Sequence, residues 1–560
     1  MKKTKRITIS SLILIPYLIV TLSFPAIFSG ISLTKRYSIV NSCERGLYYY
    51  YKISSNSNMI IGQKIGIISG DKYRISTLMS YAFSMLYLSR VNNLIVVFLF
   101  VSVFTLISIG GYHSEYSFSS AYAARAKVSP DGPIITDPKL VTQVVYQGLR
   151  SPTAMEFLGP DDILILEKGQ GTVQRIVNGK MLEQPLLQVN VTSKDERGLL
   201  GIAIASEKDA TITTTETTTE SGFSSSSSTS VFLFFTEAGP SKGDTPAGNR
   251  VYKYELVDNN TKLENPTLLL DLPATPDDSH VGGVLKIGPD NNLYLTIGDQ
   301  RPTAFNRMDS PDSHTKAQNY EEGIEPDGRS GILRVTQDGG VVNGILGNEH
   351  PLNKYYAYGV KNSFGLDFDP VTGNLWDTEN GPTFGDEINL VEPGFNSGWA
   401  NIQGFWTIDD EWNKGEEVVT PLNAEEDYGL VDFDGKGKYS SPEFVWDVVP
   451  TALKFLNSDK LGKQYENDMF VGDVKYGNLY HFKLDEQRTG LLLDGTLEDK
   501  VGKIEELEQQ AVFGHGFGGI TDIEVGPDGY LYVLTYHKED GTIYRIVPTA
   551  ANSEEEKIVS

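Results

Sequence analysis

The chain has 560 residues, of which 40% are hydrophobic, and a formal net charge of −25 at pH 7. This charge argues against a nucleic-acid-binding protein, which needs a basic surface against the phosphates. The single cysteine, Cys43, lies near the N-terminus, so the rest of the chain has neither a disulfide nor thiol chemistry.

The N-terminal region has the opposite charge. Residues 1–93 hold 12 Lys and Arg and two acidic residues, a net of +10, which leaves −35 for residues 94–560. Two apolar runs, Ile9–Leu33 and Leu94–Ile109, occur in this part of the chain. If both crossed a membrane, the basic loop between them would lie outside, against the positive-inside tendency.

The second apolar run by itself fits a secretory signal. Met85–Arg90 resembles the start of such a signal, Leu94–Ile109 its apolar core, and Ala121–Ala123 the small-residue cleavage pattern. We therefore expect a signal peptide or transmembrane segment over 85–124, preceded by an extension or membrane-anchor region over 1–84. In either case we expect the acidic remainder to work outside the cytoplasm, secreted or anchored to the membrane.

A strand-turn-strand pattern then repeats along the chain. Four clear copies and two weaker ones are Pro152–Ile176, Val281–Asp299, Ser363–Gly381, Ile520–Ile546, Gly198–Leu256 and Thr451–Leu484. Alternating apolar residues are typical of half-buried strands, and Pro, Asp and Gly are typical of turns. Six such units without a long amphipathic helix predict an all-β chain, folded as a six-bladed β-propeller over residues 139–548. The alternative is a sandwich of unrelated hairpins, which would seldom repeat one turn motif.

Three segments fall outside the repeats. Leu140–Leu149 is a strand candidate that can pair with the last unit and close the ring. Residues 210–230 are rich in Thr and Ser. They cannot bury enough apolar surface to offset chain entropy, so we expect a disordered loop insertion. Residues 549–560 form an acidic tail.

His280 is the most informative residue of the chain, which has only seven His. It precedes Val281-Gly282-Gly283 and an apolar strand. Imidazole titrates near neutral pH, so this side chain is a candidate general base. The alternative is a structural His that is bonded to a neighbouring unit.

Several short motifs occur around His280 in a fixed order. They are Glu196–Gly201 (ERGLLG), His280–Gly283 (HVGG), Gly331–Val335 (GILRV), Tyr358–Asn362 (YGVKN), Glu379–Pro382 (ENGP), Asp386–Leu390 (DEINL), Gly394–Trp399 (GFNSGW) and Asp473–Gly477 (DVKYG). The ordered set resembles the soluble glucose/sorbosone dehydrogenase family, which uses pyrroloquinoline quinone (PQQ) on a six-bladed propeller. The resemblance covers residues 139–547.

The resemblance implies an oxidoreductase that converts the anomeric hydroxyl of an aldose sugar to a lactone. In this scheme His280 takes the hydroxyl proton while hydride passes to calcium-bound PQQ. The backbone carbonyls of Gly381 and Pro382 match the positions that hold Ca²⁺, an ion that favours oxygen ligands and polarises the quinone carbonyl. The cofactor-binding positions are Glu196, Lys361, Asn362 and Lys475. The motifs specify neither the sugar nor the electron acceptor.

The chain departs from the family pattern at several cofactor positions. Glu196 stands where family members have Gln, and Lys361 replaces an Arg, which removes a bidentate fork. The last unit lacks an Arg pair expected near Gly519–Thr521. His515 and Arg301 are the candidates to replace that pair.

Two other function classes remain open. One is a non-catalytic propeller that binds a sugar or a protein partner, which would keep the fold without a redox cofactor. The other is a calcium-dependent lactonase, which would need a cluster of acidic and Asn ligands around the central channel.

Overall fold

A computed structural model describes residues 128–129, 132–206, 229–240, 245–300, 314–408, 419–423, 426–537 and 540–549, together with short strands near the N-terminus. The chain divides into two units, Met1–His113 and Ser114–Ser560. In the first unit the strands are β1 (Ser11–Leu14), β2 (Tyr17–Val20), β3 (Ile31–Ser32), β4 (Leu47–Ser55) and β5 (Ile60–Ile67). Strand β1 pairs with β2, and β4 pairs with both β3 and β5.

Several predicted segments lie outside the described residues. These are the signal or transmembrane segment 85–124, nearly all of the insertion 210–230, and the tail 549–560 apart from its first residue. Among the residues that are described, we find no helix with the length and apolar character needed to cross a membrane.

Within the described residues, the second unit contains six sheets of four or more strands. The first has β8 (Pro152–Gly159), β9 (Asp162–Glu167), β10 (Thr172–Val177), β11 (Lys180–Met181) and β12 (Leu187–Gln188), and the second has β13 (Leu199–Ser206), β14 (Thr229–Ala238), β15 (Pro246–Val257) and β16 (Lys262–Leu272). The third has β17 (Leu285–Ile287), β18 (Leu293–Ile297), β19 (Gly331–Val335), β20 (Tyr355–Tyr358), β24 (Phe395–Asn396) and β28 (Lys438–Tyr439), and the fourth has β21 (Ser363–Phe368), β22 (Leu375–Glu379), β23 (Asp386–Val391) and β29 (Phe444–Trp446).

The last two large sheets each include a strand from the start of the unit. The fifth has β30 (Pro450–Phe455), β31 (Met469–Asp473), β32 (Asn478–Phe482), β33 (Val512–His515) and β6 (Ile134–Ile135), and the sixth has β34 (Gly519–Val525), β35 (Leu531–His537), β36 (Asp540–Pro548) and β7 (Leu140–Arg150). A smaller sheet has β25 (Ile402–Gln403), β26 (Trp406–Ile408) and β27 (Val419–Pro421). The described helices are α1 (Ile504–Gln510) and the 3-10 turns Lys316–Gln318, Leu352–Lys354, Lys463–Tyr465 and Gly495–Asp499.

The six repeated segments of the sequence each begin in a different one of these sheets, and the all-β class is confirmed. The first strands contact one another in the order β8, β13, β17, β21, β30 and β34, and β34 contacts β8 again. The sheets therefore follow one another around a closed ring. The predicted strand Leu140–Leu149 is also confirmed, because β7 pairs antiparallel with β36 over its whole length.

The hydrophobic core lies between neighbouring sheets. Phe234 of the second sheet packs with Leu285 and Leu295 of the third, and Trp376 of the fourth packs with Met469 of the fifth. All of these side chains are fully or almost fully buried. Each sheet thus buries both faces against its neighbours, which fixes where the loops between strands meet.

Charged side chains from five of the first strands face the centre of the ring. We call Glu156, Lys286, Asp367, Lys454 and Glu524 the charged ring. Glu524 accepts hydrogen bonds from Lys286 and, at 2.8 Å, from Lys454, which also lies 3.6 Å from Asp367. Burial would lower the pKa of each lysine, but the surrounding carboxylates raise it above its ordinary value. Burial would likewise raise the pKa of Glu524, but Lys286 and Lys454 hold it below its ordinary value.

Glu156 gives the charged ring a pH dependence. Burial, followed by the nearby charge of Glu524, raises the pKa of Glu156 from 4.5 to about 8. A carboxyl with a raised folded-state pKa takes up a proton on folding, so stability is lost as pH rises from about 4.5 through about 8. A Glu156→Gln variant should therefore be more stable than wild type above pH 8 and nearly equal to it below pH 4.5. Melting temperatures across this range test the prediction, and a pH-independent difference between the two proteins would contradict it.

Candidate active site

His280 lies in the segment that leads into β17, and its backbone has an unusual conformation. Its φ is +54°, in the left-handed region that residues other than Gly seldom occupy. The amide of Gln300 donates a hydrogen bond to the carbonyl of His280 at 3.2 Å. Gly298 lies against the same carbonyl, where a Cβ atom would collide with it. The end of β18 therefore fixes His280, and strain of this kind is common at functional sites.

Asp299 orients the His280 ring. Its Oδ1 lies 2.7 Å from His280 Nδ1, and its Oδ2 accepts a hydrogen bond of 2.7 Å from Trp399 Nε1. Asp299 is only 1% exposed. Burial alone would raise the pKa of Asp299, but His280, Lys361 and Trp399 lower it below its ordinary value. An ionised carboxylate at Nδ1 favours the tautomer with a proton on Nδ1, which leaves a lone pair on Nε2.

Lys361 lies on the other side of the imidazole. Its Nζ is 3.1 Å from His280 Nε2 and 5.8 Å from the centre of the Trp399 ring. The residue is 2% exposed, and this burial lowers the pKa of Lys361 although Asp299, Glu196 and other acids oppose the shift. The predicted base and the predicted cofactor-binding cation are therefore direct neighbours.

Glu196 and Asn362 bind the glycine-rich segment after His280. Glu196 Oε2 accepts hydrogen bonds from the Val281 amide at 3.1 Å and from Asn362 Nδ2 at 3.2 Å. Asn362 Oδ1 accepts from the Gly282 amide at 3.2 Å. The structure thus brings together four residues that the sequence predicted: His280, Glu196, Lys361 and Asn362.

Gly381 and Pro382 lie in the tight loop between β22 and β23. The Gly381 amide donates to Asp386 Oδ1 at 2.8 Å, and Asp386 Oδ2 accepts from the Val448 and Val449 amides. Burial raises the pKa of Asp386 to about 6. Asp386 therefore orders this loop, and its two oxygens are already occupied by backbone amides.

The carbonyls of Gly381 and Pro382 fit the calcium that the sequence predicts. Neither accepts a hydrogen bond within the described part of the chain. The two residues are partly exposed, so their oxygens remain accessible. Backbone carbonyls are ordinary Ca²⁺ ligands. Over the same described residues, no cluster of three or more His, Cys, Asp or Glu side chains could hold a metal.

Lys475 stands apart from the group around His280. Its Nζ forms an ion pair with Asp447 at 2.6 Å and lies 5.3 Å from the Tyr476 ring centre. Burial would lower the pKa of Lys475, but the Asp447 carboxylate raises it above its ordinary value. Of the predicted arginine substitutes, His515 is exposed on β33, and Arg301 lies outside the described residues.

A cavity of about 140 Å³ lies along the first strands of the sheets. Glu196 and Gly282 line it, together with Lys286 and Glu524 of the charged ring. Most of its wall is apolar. A mostly apolar pocket with a few polar groups is the usual form of a small-molecule site.

The sequence did not predict Asp299 or Trp399 as site residues. Asp299 is the last residue of the repeated segment Val281–Asp299, which begins directly after His280. The hairpin predicted for this segment would bring its two ends together, and this was the available signal for a contact between Asp299 and His280. Trp399 belongs to a recognised motif, but it lies 100 residues from the carboxylate that it binds.

The comparison with known families decides the relationship. The sequence profile of the family described as Glucose / Sorbosone dehydrogenase matches residues 149–545. The chain belongs to this family. Its membership confirms the resemblance seen in the motifs and supports, in general terms, an oxidoreductase of the sugar dehydrogenase kind.

Two named relatives match this chain over most of their own length. Aldose sugar dehydrogenase YliI of Escherichia coli K12 is 25% identical over 414 residues, which are 72% of this chain and 92% of the relative. Quinoprotein glucose dehydrogenase B of Acinetobacter calcoaceticus is 25% identical over 459 residues, 72% of this chain and 87% of the relative. The crystal structure of the soluble aldose sugar dehydrogenase of Escherichia coli in its apo form shares the fold, with a TM-score of 0.51, 23% identity, and coverage of 73% of this chain and all of that one.

Proposed function

We propose that this protein oxidises the anomeric hydroxyl of an aldose sugar to a lactone, with PQQ and Ca²⁺ as cofactors. The observation that carries the proposal is the chain of contacts from Asp299 through His280 to Lys361. A buried carboxylate that orients an imidazole beside a buried cation is an arrangement suited to proton abstraction. The quinoprotein among the relatives supports a quinone as the electron acceptor.

The proposed fold is a six-bladed propeller over residues 139–548, with one sheet as each blade. Support comes from the closed order of contacts between the first strands and from the closing strand β7. The cluster around His280 is then built by turns that meet near the axis, where loops from several blades can reach one ligand.

His280 Nε2 is the proposed base. The sugar hydroxyl replaces the Lys361 ammonium as the hydrogen-bond donor to Nε2, and its proton moves to that nitrogen. Asp299 then stabilises the imidazolium, because its Oδ1 lies 2.7 Å from Nδ1. Bound PQQ supplies the acceptor for the hydride from the anomeric carbon. Lys361, displaced from Nε2, places a positive charge where the hydroxyl loses its proton.

Cofactor binding draws on residues from three loops. The accessible carbonyls of Gly381 and Pro382 are the proposed calcium ligands, and Lys361, Asn362 and Lys475 are the proposed partners of the quinone. Cations next to carboxylates form charge-assisted hydrogen bonds, which are among the stronger contacts in proteins. The carbonyl oxygens thus suit the positive Ca²⁺ ion, and the two lysines suit the negatively charged carboxylates of PQQ.

Reconstitution tests the proposal directly. The purified protein is mixed with PQQ and Ca²⁺, and aldose oxidation is followed by the reduction of a dye. Dye reduction that depends on PQQ supports the dehydrogenase. Opening of added lactones without dye reduction would instead indicate the lactonase. Neither activity, with sugar binding retained, would indicate a non-catalytic binding protein.

Removal of calcium should abolish the activity of the reconstituted enzyme. The expected cause is loss of the ion held by Gly381 and Pro382, which would release the cofactor. A chelator followed by gel filtration, with PQQ measured by absorbance in the protein fraction, checks both effects. Activity and bound PQQ should return on addition of Ca²⁺, with Mg²⁺ as the control ion because it prefers a tighter, water-rich octahedral shell. Full activity after thorough chelation would exclude this role.

A further inference from the structure

We propose that Trp399 is a positioning residue for sugar oxidation, which holds the two charged groups on either side of the His280 imidazole. The inference rests on the proposed function, because it names a residue that acts through the base of that reaction. Trp399 is 2% exposed, so it offers almost no surface to a substrate. Its effect on the base therefore passes through Asp299 and Lys361.

The indole N–H of Trp399 holds the carboxylate of Asp299. Trp399 Nε1 lies 2.7 Å from Asp299 Oδ2, while Asp299 Oδ1 lies 2.7 Å from His280 Nδ1. An indole nitrogen can only donate, so the carboxyl oxygen accepts, and the bond favours the ionised form of Asp299. Because its two oxygens are held by two different rings, the carboxylate has little freedom to rotate away from the imidazole.

The face of the same indole lies near the ammonium group on the other side of the base. Lys361 Nζ is 5.8 Å from the centre of the Trp399 ring and 3.1 Å from His280 Nε2. The negative face of an aromatic ring attracts a cation within about 6 Å. When the sugar hydroxyl displaces Lys361 from Nε2, this face keeps the ammonium beside the base. One side chain thus acts on both neighbours of the imidazole.

Hydrogen bonds on both sides of the Trp399 backbone fix the indole. Its amide donates to the Gly359 carbonyl at 3.0 Å, and its carbonyl accepts from Asn319 Nδ2 at 2.8 Å. Asn319 and Asn396, both almost fully buried, also exchange side-chain hydrogen bonds of 2.9 and 2.8 Å. A Cβ atom on Gly359 would lie 2.2 Å from Asn396 Oδ1, so this close approach needs a glycine. The YGVKN and GFNSGW motifs therefore interlock at the point where Trp399 is held.

Proton NMR of the protein without cofactors tests the positioning by itself. A proton held between His280 Nδ1 and Asp299 should give a low-field signal that exchanges slowly with water, and its loss in Asp299→Asn identifies it. Trp399→Phe keeps a ring face near Lys361 but removes the N–H. In this variant we expect the signal to move and to exchange faster with water, because the carboxylate is held by one ring instead of two.

A second buried tryptophan provides the matched control. Trp376 is fully buried, and within the described part of the chain its Nε1 has no hydrogen-bond partner. Trp376→Phe therefore makes the same change in a core position without removing a hydrogen bond. It should keep the wild-type signal of the His280 proton.

Reduction of bound PQQ by sugar tests the consequence for the reaction. Trp399→Phe leaves a buried carboxylate oxygen short of a donor, and the loss of a hydrogen bond to a charged group corresponds to about 10–10²-fold. We expect the limiting rate of quinone reduction to fall by this factor. PQQ affinity and the sugar concentration at half-maximal rate should change little, because Trp399 is assigned no contact with either molecule. A merely structural role would move these two quantities as well.

The outcomes separate the inference from the proposed function. Replacement of Trp399 by benzothienylalanine, which has sulfur in place of the N–H, supplies an isosteric second variant if Trp399→Phe melts early. The inference is overturned if wild type lacks the low-field signal, or if both Trp399 variants keep the wild-type signal or the wild-type rate. If the signal changes as expected but sugar does not reduce the quinone even in wild type, the proposed function fails and the positioning of His280 by Trp399 stands.

Discussion

His280→Ala is expected to lower the rate of sugar oxidation by about 10²–10⁴-fold, the usual contribution of general acid–base catalysis. The variant removes Nε2, the proposed proton acceptor, and leaves the Asp299–Trp399 hydrogen bond in place. Pre-steady-state reduction of the bound quinone, measured in protein loaded with PQQ and Ca²⁺, isolates this step. PQQ affinity should change little, because no cofactor contact is assigned to the imidazole.

Two further variants sharpen the test of the base. His350→Ala removes an exposed histidine of a loop and should keep the wild-type rate. Asp299→Asn acts through His280, since an amide cannot hold the same tautomer, so it should also slow the step and shift its pH profile. An unchanged rate in His280→Ala protein that carries its cofactor would remove His280 from the mechanism.

Glu524→Ala is expected to destabilise the protein by about 3–5 kcal/mol, the usual cost when one partner of a buried ion pair is removed. The carboxylate of Glu524 accepts from both Lys286 and Lys454, and its side chain is only 6% exposed. Its loss would leave two buried ammonium groups short of a partner at the centre of the ring. The midpoint of urea unfolding at pH 7 measures the effect.

The matched control is an ion pair on the surface. Asp338 pairs with Lys253 at 2.9 Å, and its side chain is 85% exposed. Asp338→Ala should therefore change the free energy of unfolding by no more than about 1 kcal/mol. Equal losses in the two variants would show that the charged ring contributes no more than an exposed pair.

Local patterns explain why much of the fold was predictable. Turn residues and period-two alternation mark strands within a few positions, so the repeated units, and the strand Leu140–Leu149, were found without tertiary information. The site residues of the HVGG and YGVKN motifs lie near the starts of strands β17 and β21, which contact each other in the ring. Once the repeat is recognised, motifs at equivalent places in neighbouring units are expected to meet.

The charged ring was not predictable in the same way. Around Lys286 and Glu524, the alternation of apolar and polar residues predicts half-buried strands. The polar side of such a strand ordinarily faces water. In the closed ring that side faces the axis, where the polar groups of different sheets meet. The partner of Lys286 lies 238 positions away in sequence, and no local signal specifies such a pair. The role of Trp399 was not predicted for the same reason, because its partner Asp299 lies 100 positions away.

The pairing of β7 with β36 has a consequence for synthesis on the ribosome. The two strands are far apart in sequence, and Gln143 and Arg545, which bond across them, are 402 positions apart. At roughly 5–20 residues per second, β7 leaves the ribosome roughly 20–80 s before its partner exists. During that interval its edge is open to other strands, a known route to aggregation. Newly made chains should therefore depend on a chaperone until the last strand arrives.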